Sequence, residues 1–135
     1  MVLLASSMVA SDGTTSDPKY RPGQVWRYHT RPDEETSRIT ILKVESREDG
    51  NTTVHIRVDG LKLRNPRAPT GHNEVLPHAP IDAVALDRSV VTMDSTVETL
   101  PEFEEGYRTW KDSKGGVFTI TVAEILTFVE ESLNQ

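Results

Sequence analysis

Three side chains with metal-ligating chemistry follow Gly71 at alternating positions. His72, Glu74 and His78 share strand parity there, and two imidazoles plus a carboxylate are adequate ligands for zinc or iron with one position left open for water. The spacing matches no specific metal motif, and Pro77 interrupts the strand that would align the three. Surface histidines in a proline-rich loop are the plainer account, and no cofactor is implied.

The remaining histidines, His29 and His55, fall at outward positions of two candidate strands, where a facing pair could act as acid and base. Arg27, His29 and Arg31, lined up beside His55 and Arg57, form the set that could meet nucleic-acid phosphates. An overall charge of −6 works against that reading. The aromatic residues expected on an RNA-binding sheet face are also missing, because Trp26 and Tyr28 alternate with the basic set and should be buried.

A third group is acidic. Glu102, Glu104 and Glu105 open a candidate helix in which Tyr107 and Trp110 follow Phe103 at helical spacing. Acids in a first turn suit the helix macrodipole whatever else they do. Beside aromatic edges they also form a surface that could take a basic protein partner.

The 135 residues contain no cysteine, which excludes thiolate nucleophiles, disulfides, iron–sulfur clusters and cysteine zinc sites. No G-x-S-x-G elbow, P-loop or dinucleotide fingerprint occurs. No apolar run approaches the ~20 residues of a membrane-spanning helix. Charge is segregated: residues 19–67 carry 11 basic and 7 acidic side chains, whereas residues 68–135 carry 4 and 12. Such asymmetry points to a partner, or to two halves that attract one another.

The elements that must position these groups are organised around a β-hairpin. Ile39, Ile41, Leu42 and Val44 precede the break Arg47-Glu48-Asp49-Gly50-Asn51, and Val54, Ile56 and Val58 follow it. Asp-Gly accepts the positive φ of tight hairpin turns. The apolar phase slips between Ile41 and Leu42, which a β-bulge or burial on both faces would explain, and polar Thr40 and Lys43 favour the bulge. In the following strand Val54, Ile56 and Val58 point inward, with Thr53, His55, Arg57 and Asp59 outward. Gln24 to Thr30 forms an earlier strand with Trp26 and Tyr28 inward, closed by Pro32, while Leu61 and Leu63 suggest a short fourth strand.

Asn65 to Pro80, with four prolines, reads as an irregular surface loop. Ala83, Leu86, Val90 and Met93 recur at helical spacing, which predicts a helix over 81–92. A second helix follows Pro101 and stops at Gly115-Gly116. Val117 to Ile120 reads as a last strand, and Thr121-Val122-Ala123-Glu124 is a capping box ahead of the stripe Val122, Ile125, Leu126, Val129 and Leu133.

The expected fold is α+β, a curled antiparallel sheet of three to five strands with helices packed on one side, ending strand then helix. Residues 19–135 form its single domain. Residues 1–18 read as a disordered leader, or as the remnant of a truncated signal peptide over 1–10. With no basic residue before Lys19 the expected location is the cytoplasm, and it is the periplasm or outside if that remnant is real.

The run Gly23-Gln24-Val25-Trp26-Arg27-Tyr28 through Arg31-Pro32, with Phe103-Glu104-Glu105-Gly106-Tyr107-Arg108 later, resembles small uncharacterised bacterial proteins. That resemblance covers the chain after Tyr20, implies a bacterial source and carries no activity. The functional expectation is therefore a small non-enzymatic interaction domain, inhibitor-like or immunity-like, that meets a basic partner through Glu102, Glu104, Glu105, Tyr107 and Trp110. The alternative is a small enzyme or ligand-binding protein with a polar pocket between sheet and helices.

Overall fold

A computed structural model describes residues 18–135, so the leader or signal remnant lies almost wholly outside the described residues. The elements in chain order are β1 (Gln24–Tyr28), β2 (Arg38–Ser46), β3 (Thr52–Asp59), β4 (Leu63–Arg64), β5 (His72–Asn73), β6 (Leu76–Asp82), α1 (Ala83–Asp87), β7 (Val90–Thr96), α2 (Glu104–Asp112) and α3 (Val122–Leu133). Five strands make one antiparallel sheet in the order β6-β3-β2-β1-β7, and β4 pairs with β5 apart from it.

The hairpin β2–β3 forms as its sequence dictates. Gly50 takes φ +86°, the Gly50 N–H donates to the Arg47 carbonyl, and the Arg47 N–H donates to the Asn51 carbonyl. This is a three-residue turn whose glycine closes a bulge. The phase slip is a β-bulge too. Ile41 opposes Ile56 and Lys43 opposes His55, so Leu42 is the extra residue. The bulge returns Val44, opposite Val54, to the face shared by Ile39 and Ile41.

That face carries the core. Trp26, Tyr28, Ile39, Ile41, Val54, Ile56 and Val58 from the sheet meet Ala85 and Leu86 of α1 and Val122, Ile125 and Leu126 of α3, with Val129 packed against them. Each fully buried aliphatic side chain contributes about 1.5–3 kcal/mol. The capping box is present as the sequence predicts, with the Thr121 hydroxyl accepting from the Glu124 N–H and the Glu124 carboxylate from the Thr121 N–H. The Val122 N–H also donates to Ser89 Oγ, which fastens the start of α3 to the end of α1.

Three expected elements are different in the structure. The helix predicted over 81–92 is only Ala83–Asp87, capped by the Asp82 carboxylate, and Val90 and Met93 belong to β7 instead. The β-branched run Val90-Val91-Thr92 suits a strand better than a helix, and β1 offers it an unpaired edge. The proline-rich stretch, expected as a loop, contains β5 and the sheet strand β6. Proline is tolerated there because β6 is an edge strand. The Pro80 carbonyl points outward to the Phe118 N–H, so its missing N–H faces away from β3. The strand expected over 117–120 shrinks to that single parallel bridge between Ile81 and Phe118.

Both sheet edges are blunted. Prolines and the Phe118 bridge cover β6. Two register shifts against β1 distort β7, whose Asp94 is paired with Arg27 and Arg38.

The sheet has helices on both faces. Where α1 and α3 cover the core face, α2 lies across the other, over the residues that alternate with the core positions of β2 and β3. His55, expected to face solvent, is there fully buried.

Candidate functional site

The second face gathers five side chains from four elements. Glu45 projects from β2, His55 from β3 and His78 from β6, while Tyr107 and Trp110 descend from α2 one turn apart. Glu45 and His55 come together because Glu45 opposes Thr53, two residues before His55 on the same face of the hairpin. His78 arrives because β6 pairs with β3.

These groups form one hydrogen-bonded chain. The Tyr107 hydroxyl donates to Glu45 Oε2 at 2.6 Å, and Glu45 Oε1 lies 2.7 Å from His55 Nε2. His55 Nδ1 lies 2.9 Å from His78 Nε2. With Glu45 ionised, His55 donates from Nε2, so its Nδ1 must accept and His78 carries its proton on Nε2. The two imidazoles are nearly parallel, 14° apart, with centroids separated by 5.1 Å. That separation is close to the N···N distance plus the two ring radii, so the rings meet edge to edge along the hydrogen bond. The indole of Trp110 stands over His55 at 4.8 Å between centroids, and the Tyr107 ring stands at 5.0 Å.

The electrostatics follow from burial. Loss of water pushes the His55 ring below its ordinary pKa, against the opposing pull of Glu45. Burial first, and then the repulsion that a protonated His55 would exert, push His78 down to about 4. Burial would raise the Glu45 carboxyl, but the Tyr107 hydroxyl and His55 hold it below the usual range. The Tyr107 phenol, donating to Glu45, rises to about 12 and stays protonated. Near neutral pH the cluster is thus a single carboxylate between a phenol and a neutral imidazole pair.

His55 has no exposed surface and is roofed by Trp110 and Tyr107, so it cannot touch a substrate directly. Beyond the roof, a cleft of about 280 Å³ opens between the hairpin end and the C-terminal end of α2, lined by Glu45, Arg47, Thr53, Tyr107, Trp110, Lys111, Lys114 and Val117 among others.

The structure does not gather the other sequence candidates in the expected way. His29 lies just past β1, two strands from β3, exposed, and the partner of His55 is His78. His72 and Glu74 are exposed on and just after β5, while His78 turns to His55. Among the described residues no group of three His, Asp or Glu side chains is placed to hold a metal ion. The basic set is partly neutralised. Arg27 pairs with Asp94, and Arg31 with Glu34 and Glu130, in a network that leaves the buried Glu34 carboxylate satisfied. Glu102, Glu104, Glu105 and Asp112 are exposed on α2 and its entry. Among the described residues none of them forms an ion pair, although Glu102 accepts the Glu104 N–H. Tyr107 is buried rather than presented, and Trp110 is half-buried.

No family model matches the chain, and neither a curated protein nor a solved structure shows significant similarity to it. Among the described residues no helix is long and apolar enough to cross a membrane.

Proposed function

We propose that this chain is a small non-enzymatic interaction domain, inhibitor-like or immunity-like, that takes a basic protein partner on the exposed side of α2. The observation that carries the reading is the state of the acids. Glu104, Glu105 and Asp112 are not consumed by Arg27, Arg31 or Arg57, so their field reaches outward and can steer a cationic surface. Trp110, half-buried on the same helix, is of the residue type that anchors interfaces. Tyr107, by contrast, serves as the bolt that holds α2 to the sheet.

The test is affinity capture from the source organism, comparing wild type with Glu104→Lys plus Glu105→Lys. Basic proteins held by the wild type should be lost from the charge-reversed variant and released from the wild type by added salt. Capture of the same set by both forms, insensitive to salt, contradicts the reading.

A second reading, a small ligand-binding protein or enzyme, is favoured by one observation. Polar groups from sheet and helix converge on the cleft at the C-terminal end of α2.

A further inference from the structure

We infer that this cleft binds a small organic anion, a carboxylate or phosphate attached to a flat apolar body. The inference rests on the ligand-binding reading and shares Trp110, but none of the acids, with the interface proposed on α2.

Charge is the first argument. On a protein of net charge −6, the cleft is rimmed by Arg47, Lys111 and Lys114. The Arg47 guanidinium is occupied by Asp82, Asp49 and Thr53. Lys111 and Lys114 have no carboxylate partner among the described residues, and Lys111 rests instead over the Tyr107 ring at 5.7 Å. The carboxylate in the lining, Glu45, already accepts from Tyr107 and His55 with its two oxygens. Those neutral donors leave the Glu45 charge in place, so the lining sets Arg47, Lys111 and Lys114 against one carboxylate and remains net positive, with its two lysines free of any carboxylate partner among the described residues. The helix macrodipole favours lysines at a C-terminus, but it does not require them to border a cavity.

The second argument is how the wall is built. The Trp110 indole N–H donates to the Gly116 carbonyl at 2.9 Å, which fixes the ring plane. A Cβ on Gly115 would stand 2.4 Å from Trp110 Cδ1, so only glycine lets the loop close against the indole. The left-handed position that ends α2 is then filled by Lys114, at φ +53°, where glycine is the usual occupant. An indole held in place beside an apolar Val117 and two free ammonium groups offers a stacking surface and charge together. At about 280 Å³, just below the ~300–1,000 Å³ range of clefts for larger ligands, the space suits a single-ring ligand.

The test uses the two indole N–H signals in a ¹H–¹⁵N spectrum, with benzoate, phenyl phosphate and neutral benzamide as probes. Trp26 is buried in the main core and donates to Gln24, so its signal serves as the internal control for folding. The expected result is a saturable shift of the Trp110 signal with benzoate or phenyl phosphate at millimolar concentration. The stronger of the two identifies the anionic group. Benzamide should give no saturable shift, and Lys111→Gln plus Lys114→Gln should weaken the anions at least about tenfold with Trp26 unmoved. Benzamide binding as well as benzoate, or full affinity in the double variant, overturns anion recognition while leaving a ligand cleft. No saturable shift with any probe overturns the cleft as a site.

Discussion

Replacing Glu45 by alanine is expected to destabilise the fold by about 3 kcal/mol, because it strips a fully buried imidazole N–H and the Tyr107 hydroxyl of their shared acceptor at once. Few positions outside the main core should cost as much. Tyr107→Phe should cost less, about 1 kcal/mol, since Glu45 keeps His55 and gains access to water. Urea denaturation measures both. A loss below about 0.5 kcal/mol for Glu45→Ala, within the range of ordinary surface substitutions, would mean that the hydrogen-bonded chain does not hold α2 in place.

The second large effect is acid lability. His55 and His78 are both held below the ordinary histidine value near ~6.5, His78 at about 4. The unfolded chain therefore binds protons that the folded chain refuses, so stability is complete above about pH 6.5 and falls as the pH drops towards 4. For His78, discounted for its partial exposure, the loss is about 2 kcal/mol across that window. Glu45 adds a loss of the same sign at lower pH, since its folded pKa is depressed as well. His78→Phe should flatten the slope between pH 6.5 and 4. An unchanged slope in that variant would assign the acid sensitivity to other groups.

The parts of the fold that were legible in the sequence are those set by local rules. The hairpin with Asp49-Gly50, the bulge at Leu42 and the Thr121/Glu124 capping box each depend on a few neighbouring residues, and each forms where the pattern places it. The strands β6 and β7 were hidden for opposite reasons. Prolines at 77 and 80 mask a strand whose outer side needs no N–H from Pro80, and a spacing of Ala83, Leu86 and Val90 mimics a helix that has ended by Asp87.

The site suffered from the same gap. Without β6 there was no partner for His55, and alternation alone marked His55 as outward without saying that α2 would cover it. Glu45 left one usable trace: with the bulge placed, the hairpin register sets it on the same face as His55, two positions along. Tyr107 and Trp110 were visible as an aromatic stripe on an acidic helix. Which of them turns inward was decided by Glu45, a residue 62 positions away in the chain.

The roles of α2, its acids and its cleft depend on the helix lying across the face opposite the main core. Nuclear Overhauser contacts of the Trp110 indole measure this directly. The structure predicts contacts with the His55 ring protons, the two centroids being 4.8 Å apart, and none with the methyl groups of Ile125 or Leu126. Contacts from Trp110 to those α3 methyls, with none to His55, would place all three helices on one face and contradict the account.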